Sequence, residues 1–158
     1  MPVLISNVSS ISKKECVRMT EALVQIDPKK DGVDLGIVIR DWEASKRFYC
    51  DTLGFVHVMD MPFPLNPGTM HRVQAGATTL KLTQLGTTPD AQNPPGGATA
   101  AVGIRYFTFW VRNVAAVAEA CRAAGYKIAL PLTEVRPGVT ILMVEDPDGN
   151  WVEFLQSE

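Results

Sequence analysis

An internal repeat constrains the fold of this chain more than any other feature of its sequence. An offset of 72 residues places Arg40-Asp41 on Arg112-Asn113 (112 − 40 = 72), and in both places a strand-like segment ends where a helix-capping residue follows. The same offset places Lys81, near the end of the first copy, on Glu153 in the second. One offset that aligns both ends of a module indicates duplication of a β-α-β-β-β unit; the alternative is a coincidence between two amphipathic α/β stretches.

The predicted elements follow the same order in both copies. Hydrophobic patterning and turn residues predict strands at 33–39, 55–59, 70–75, 78–83, 104–111, 126–130, 139–144 and 151–155, with a helix after the first strand of each copy. Three prolines predict a loop at 61–68, because proline cannot donate a hydrogen bond to a central strand. Residues 146–150, Asp-Pro-Asp-Gly-Asn, are predicted to form a tight turn.

Four segments describe the predicted domain organisation. They are an N-terminal helical extension with its linker at 1–32, a first module at 33–85, a linker rich in proline and glycine at 86–103, and a second module at 104–158. The N-terminal helix is predicted from a capping box formed by Ser12 and Glu15, followed by apolar residues at helical spacing. We expect this helix to pack on the modules or on a partner subunit.

Composition and charge exclude several classes of function. The 158 residues are 46% hydrophobic and 20% charged with a net charge of −2, so the chain is globular and offers no basic face for nucleic acid. Its apolar stretches are much shorter than the roughly 20 residues of a membrane span, and its first residues do not resemble a signal peptide. Three scattered cysteines, none in a Cys-x-x-Cys motif, predict idle thiols in a reducing cytoplasm.

Two short motifs carry a resemblance to a known family. They are Phe-Tyr-x-x-x-Leu-Gly-Phe at 48–55 and Asp-Pro-Asp-Gly-Asn-x-x-Glu at 146–153, and a third segment, Tyr-Phe-Thr-Phe-Trp-Val-Arg-Asn at 106–113, lies between them. Over residues 33–156 the chain resembles the vicinal oxygen chelate superfamily, which includes glyoxalase I, bleomycin-resistance proteins, fosfomycin-resistance enzymes and extradiol dioxygenases. The resemblance implies an α+β fold in which two βαβββ modules form a curled mixed sheet around a shared pocket. It also implies a homodimer.

The resemblance also implies where a metal would bind. In the superfamily, the ligands come from the first and last strands of each module, and these positions fall on Asp34, Lys81, Tyr106 and Glu153. Glu153 matches the usual ligand types, but a protonated lysine has no lone pair to donate. We therefore expect no cofactor, with an ion pair of Lys81 and a carboxylate in the place of the metal. The alternative is a divalent metal held by Glu153.

Strand alternation places further candidates beside these four residues, which are expected to point together into the concavity. Trp110 and Trp151 would form aromatic walls, and Phe63, in the proline-rich loop, would contact a ligand as part of a lid. His71 would lie at the rim as a candidate acid or base, whereas His57 is interpreted as structural. For each of these residues the alternative is an ordinary packing role. For Lys81 the alternative is a solvated surface residue.

Two classes of function fit these residues. One is a binding protein, similar to the bleomycin-resistance proteins, that holds a small, partly aromatic or apolar metabolite and has lost most of the family's metal ligands. The other is a lyase, isomerase or dioxygenase-like enzyme in which Glu153, Lys81 and Tyr106 are catalytic and Asp34 helps to bind the substrate. A vestigial pocket in a regulatory or structural subunit is a third interpretation. The expected partner is a small molecule, with no nucleic acid and no membrane.

Overall fold

Two four-stranded mixed sheets, one in each module, form the framework of the chain. The structure is a computed structural model, and it describes residues 26–158. The chain divides into two units, Met1–Asp31 and Gly32–Glu158, and both modules belong to the second. The predicted helix that begins near Ser12 lies outside the described residues. None of the helices within residues 26–158 is long and apolar enough to cross a membrane.

The first module contains four strands and one helix. The elements are β1 (Asp34–Ile39), α1 (Trp42–Lys46), β2 (Val56–Pro62), β3 (Gly68–Ala75) and β4 (Thr78–Leu85). The helix α1 continues directly into a π-helical turn, Arg47–Thr52. The strand order is β1-β4-β3-β2, with β1 and β4 parallel and the other neighbours antiparallel.

The second module repeats this arrangement. The elements are β5 (Tyr106–Trp110), α2 (Val114–Ala123), β6 (Ile128–Arg136), β7 (Val139–Glu145) and β8 (Trp151–Ser157). The strand order is β5-β8-β7-β6, again with a parallel pair between the first and last strands of the module. The predicted α+β fold of two βαβββ modules is confirmed. The sheets remain separate in residues 32–158 and do not close into a barrel.

Strand register supports the duplication at the level of single residues. In the parallel pair of the first module Gly36 lies opposite Lys81, and in the second module Thr108 lies opposite Glu153. Both positions of the second pair are offset from the first by the 72 residues that the sequence indicated. The two modules are therefore built to the same register where β1 meets β4 and where β5 meets β8.

Two strands extend through prolines. β2 continues to Pro62, which lies in the predicted loop at 61–68, and β6 passes through Pro131. Each strand lies at the edge of its sheet, where the N–H that proline lacks is not needed for pairing with a second neighbouring strand. The loop predicted at 61–68 is therefore correct only for residues 63–67, since β3 begins at Gly68.

The hydrophobic core lies on one face of both sheets and is continuous between the modules. One cluster of buried side chains includes Phe48 and Leu80 from the first module together with Leu142 and Phe154 from the second. Aromatic pairs also join the modules: the ring centroids of Phe48 and Tyr126 are 4.7 Å apart, and those of Phe55 and Phe109 are 5.0 Å apart. The opposite face of each sheet, here called the open face, is left for other contacts.

Candidate functional site

The open face of the first sheet carries an ion pair. Lys81 lies on the inner strand β4 between Leu80 and Leu82, whose side chains point into the core. Its Nζ atom is 3.0 Å from Oδ2 of Asp34, with exposed side-chain fractions of 35% and 26%. The pairing of Lys81 with a carboxylate, expected from the sequence, is therefore present, and the partner is Asp34.

A second cation, Arg72, lies next to Lys81. It occupies the directly opposite position on β3, so both side chains point to the open face. Its Nη1 atom is 3.8 Å from the sulfur of Met59, and its buried Nε atom has no hydrogen-bond partner. Sequence reasoning missed this residue, because alternation assigns its face only once the register of β3 against β4 is known.

The open face of the second sheet carries the buried carboxylate of Glu153. Glu153 is 8% exposed, and the hydroxyl of Thr108, directly opposite on β5, donates a hydrogen bond to its Oε2 atom. Tyr106 lies two residues before Thr108 on β5, so its side chain is on the same face, and it is exposed. The four predicted ligand positions thus occur as two sets: Asp34 binds Lys81 on one sheet, while Glu153 and Tyr106 share the other.

The two predicted aromatic walls have different surroundings. Trp110 is 68% exposed on the open face. Trp151 is partly buried, donates from Nε1 to Oε1 of Glu145 at 3.1 Å, and lies against Gly97 of the linker. The linker therefore covers Trp151, while Trp110 is free to contact a ligand. Phe63 is partly buried, and its backbone N–H donates to the carbonyl of Gly68 at the start of β3.

The structure places His71 on the core face of the first sheet and not at the rim of an open-face pocket. The residue is 7% exposed, and its ring stacks on Trp42 of α1 with centroids 4.0 Å apart. Its neighbour Arg72 points to the other face, as strand alternation requires. Because the sheet separates them, His71 does not share a surface with Lys81.

A cavity of about 240 Å³ lies where the first strands of the two modules approach each other. Segments 35–38 of β1 and 104–107 before and within β5 line it, together with Trp151. Asn93 and Asn150 also line it, and they line a neighbouring cavity of about 290 Å³ beside the 86–103 linker as well. Two predicted site residues, Tyr106 and Trp151, therefore border a cleft, partly open to solvent, whose volume is close to that of the smallest ligand pockets.

The turn at 146–150 joins the modules beside this cavity. The buried hydroxyl of Tyr49 donates to Oδ2 of Asp146 at 2.7 Å, and the backbone N–H of Arg40 donates to Oδ1 of Asp148 at 3.2 Å. Burial raises the pKa of Asp146, and hydrogen bonds from Asn150 and Tyr49 oppose that rise. Both sequence motifs, at 48–55 and at 146–153, therefore contribute to one contact between the modules.

Among the thiols, Cys50 and Cys121 are free. Burial raises the pKa of Cys121 to about 11, so the thiol keeps its proton at neutral pH. Such a thiol is a weak nucleophile and a weak metal ligand, as expected from the sequence. Cys16 lies outside the described residues.

The side chains at the family's metal positions are a lysine, a tyrosine and two carboxylates. Lys81 has no lone pair while protonated, and its Nζ atom already pairs with Oδ2 of Asp34. The same contact engages one of the two carboxylates available, and Tyr106 is a poor ligand when protonated. Of the four, Glu153 best matches the usual ligand types, and Asp34 is a possible oxygen ligand. The residues that occupy these positions therefore form an organic ion pair and a hydrogen-bonded carboxylate.

Comparison with protein families identifies the fold. The model of the Glyoxalase/Bleomycin resistance protein/Dioxygenase superfamily matches residues 33–154. The chain belongs to this superfamily. The match covers both modules and most of the 72-residue repeat, as the resemblance in the sequence predicted.

Solved structures support the same fold. A glyoxalase family protein from Bacillus cereus is similar with a TM-score of 0.70 and 10% identity, over 86% of this chain and 99% of that one. A glyoxalase/bleomycin resistance protein/dioxygenase domain from Frankia sp. EAN1pec has a TM-score of 0.66 and 16% identity, over 87% and 94%. A glyoxalase family protein from Enterococcus faecalis has a TM-score of 0.60 and 22% identity, over 78% and 94%. No curated protein matches the chain significantly.

Proposed function

We propose that this glyoxalase-superfamily chain binds a small organic molecule with an apolar or aromatic body and an anionic group, without a metal at the family's usual position. The observation that carries the proposal is the ion pair between Lys81 and Asp34, with Arg72 beside it. The chemistry of this cluster favours recognition of an anionic group on a ligand over coordination of a metal ion.

The charges of the cluster favour an anion. Lys81 and Arg72 contribute two positive charges, and Asp34 contributes one negative charge, so the group has an excess of one positive charge. Arg72 has five N–H donors, and its buried Nε lacks a hydrogen-bond partner. A carboxylate or phosphate that reached the guanidinium would form charge-assisted hydrogen bonds, which are stronger than neutral ones.

Exposed apolar side chains favour an apolar body for the ligand. Val38 lies on the same face of β1 as Asp34, and Met59 lies opposite Arg72. Trp110 provides a flat exposed ring on the second sheet. Apolar surface combined with a few polar groups is the usual composition of a small-molecule site.

The test is a comparison of carboxylic acids with their own amides. Each aromatic or aliphatic acid of a panel, naphthoate for example, is titrated into the full chain by calorimetry beside its neutral amide. We expect at least one acid to bind about tenfold more tightly than its amide or better, because a hydrogen bond to a charged group contributes about 1.5–3 kcal/mol. Equal affinity of acid and amide throughout the panel would contradict the proposal.

Matched variants locate the binding. Arg72→Met and Lys81→Met keep much of the side-chain length but remove the charge, so the acid should then bind no better than the amide. Arg122→Met removes an exposed arginine of α2, away from the open faces, and serves as the control. Retention of the preference for the acid in Arg72→Met and Lys81→Met would place the anion elsewhere.

A metal titration tests the other half of the proposal. The wild-type chain and Glu153→Gln are titrated with Ni²⁺, Zn²⁺ or Mn²⁺, and the number of bound ions is measured. We expect the same stoichiometry in both, because Glu153 is not a metal ligand in this account. A bound ion that is lost in Glu153→Gln would overturn the metal-free assignment.

The buried carboxylate of Glu153 favours a second candidate, an enzyme of the lyase, isomerase or dioxygenase-like type. A carboxylate that is 8% exposed and has a hydroxyl partner in Thr108 is suited to accept a proton from a bound substrate. Turnover of hemithioacetal or catechol substrates that Glu153→Gln abolishes and Thr108→Val weakens would establish this function. Binding of the same compounds without turnover would support the binding protein.

We also propose that the chain is a homodimer in the cytoplasm. Exposed apolar side chains on the edge strands, Val56 and Val58 on β2 and Leu132 and Val135 on β6, are suited to be covered by a second copy. Light scattering on the purified chain should give twice the monomer mass of 17.2 kDa. A monomeric mass at working concentration would contradict the dimer.

A further inference from the structure

Two histidines and one aspartate come together at the outer edge of the first sheet, away from the open-face cluster. Nε2 of His57 is 2.7 Å from Oδ1 of Asp60, and Nδ1 of His71 is 2.6 Å from the same oxygen. One potential ligand atom from each residue lies within 4.8 Å of the others. We propose that His57, Asp60 and His71 form a binding site for a divalent transition-metal ion of the zinc type.

A β-bulge brings these three side chains to one face. His57 lies opposite Val73 and Asp60 lies opposite His71, and the register shifts between residues 57 and 59. In a regular strand, residues three apart point to opposite faces. The extra residue, Val58, interrupts this alternation, so the side chains of His57 and Asp60 point to the same face. The bulge is therefore the feature that creates the set of two imidazoles and one carboxylate.

The surroundings fix the imidazoles and leave the carboxylate accessible. The ring of Trp42 stacks on His71 at an interplanar angle of 4° and lies 4.9 Å from the ring of His57. Asp60 has a side chain that is 49% exposed, and His57 lies on the edge strand, so an ion can enter from solvent. The stacked ring of His71 provides a fixed ligand, and the exposed side chain of Asp60 has room to adjust when an ion binds.

The ligand types define the class of metal. Imidazole nitrogen favours zinc, copper, iron and nickel, whereas calcium and magnesium prefer sets of oxygen ligands. A tetrahedral zinc ion with bonds of about 2.0–2.1 Å would hold its ligand atoms roughly 3.4 Å apart, so the atoms need to move by about 1 Å or less from their hydrogen-bonded positions. Three protein ligands leave one position for water or a further ligand.

Proton balance for binding is simple. Nε2 of His57 and Nδ1 of His71 must each present a lone pair to the metal in place of a hydrogen bond to Asp60. A neutral imidazole achieves this by carrying its proton on its other ring nitrogen, and an imidazolium releases one proton to water. The ion then satisfies the carboxylate of Asp60, which both hydrogen bonds had served.

Zinc titration of the full chain tests the site. Calorimetry should give one ion per chain, and the imidazole ¹⁵N resonances of His57 and His71 should shift together. His57→Gln and Asp60→Asn change exposed positions, so they should fold normally by circular dichroism yet lose affinity by more than about tenfold, the loss that even a change next to a ligand can cause. His71→Gln is less suitable, because His71 is buried.

Two control variants separate this site from others. Glu153→Gln and Cys50→Ser should each keep the zinc affinity of the wild-type chain. No binding to the wild-type chain would mean that the three side chains form a hydrogen-bond network only, and it would overturn the proposal. Loss in Cys50→Ser would assign the ion to a thiol. Loss of zinc binding in Glu153→Gln alone would overturn both this proposal and the metal-free function proposed above. Equal affinity of acids and amides would overturn the proposed function and would not affect the zinc site.

Discussion

Asp146 illustrates how one residue can serve both the turn and the contact between modules. Its Oδ1 accepts hydrogen bonds from the backbone N–H groups of Asp148 and Asn150, and its Oδ2 accepts from the hydroxyl of Tyr49. Burial raises the pKa of Asp146, and the pKa of Tyr49 is raised well above its ordinary value by burial and by the neighbouring carboxylate. The phenol therefore stays protonated and remains the donor.

Tyr49→Phe should destabilise the fold by about 1–3 kcal/mol, because a buried carboxylate loses a donor. The hydrogen bond from Tyr49 lowers the pKa of Asp146, so the variant should raise that pKa further. A carboxyl with a raised pKa in the folded state contributes stability below its unfolded pKa, and this is lost as pH rises through the folded value. Urea unfolding should therefore show a larger loss at about pH 7 than at about pH 4; an equal loss at both would contradict this account.

Gly97 is the residue that lets the linker approach Trp151. Its φ is +59°, and a Cβ atom placed there would lie 2.3 Å from the indole ring. Gly97→Ala should destabilise the fold and change the fluorescence of Trp151. Gly76→Ala is the matched control, since Gly76 has a φ of +57° with open space around it and should show only the backbone cost of about 1–2 kcal/mol. Equal losses in both variants would mean that the linker simply moves aside.

At the scale of elements, the duplication extends to how each helix begins. The backbone N–H of Trp42 donates to Oε1 of Gln84 at 2.8 Å, and that of Val114 donates to Oε1 of Gln156 at 2.9 Å. Each glutamine lies near the end of the last strand of its module, so the side chain ties the helix to the sheet. Asn113, predicted as a side-chain cap, lies at the N-cap position without a side-chain cap hydrogen bond, and the glutamine supplies the acceptor instead.

Gln84→Ala and Gln156→Ala should each cost about 0.5–2 kcal/mol, since each leaves a helix N–H without its acceptor. Gln84→Glu and Gln156→Glu keep the acceptor and place a negative charge near a helix N-terminus, so they should be close to neutral. Urea unfolding of the four variants measures both effects. Equal losses for alanine and glutamate would show that the hydrogen bond is not the cause.

The elements also mark where prediction from sequence ends. Periodicity and the 72-residue offset predicted the modules, and alternation predicted that Asp34 and Lys81 share a face. The bulge at Val58 has no signature in a single sequence, so the approach of His57 to Asp60 was missed and His57 was interpreted as structural. Register between strands, which placed Arg72 beside Lys81, depends on tertiary contacts that local patterning does not encode.

At the scale of the whole molecule, the two modules share one core, and this predicts how residues 32–158 unfold. Phe55 contacts Phe109 across the modules, and Phe48 contacts Tyr126, so neither module can lose its packing without exposing the apolar surface of the other. A domain with one continuous core is expected to unfold in a single cooperative transition. Both modules should therefore have the same midpoint in urea.

Tryptophan fluorescence can follow the modules separately. Trp42 lies in the first module, and Trp110 and Trp151 lie in the second. Trp42→Phe leaves reporters in the second module only, and the double variant Trp110→Phe, Trp151→Phe leaves Trp42 for the first. In each background the urea midpoint from fluorescence should coincide with the midpoint from circular dichroism. Adding Tyr49→Phe should reduce the free energy of unfolding by the same amount in both backgrounds, because the hydrogen bond from Tyr49 to Asp146 joins the two modules. Fluorescence and circular dichroism midpoints that separate would show that the modules unfold independently, since a shared core couples the loss of one to the loss of the other.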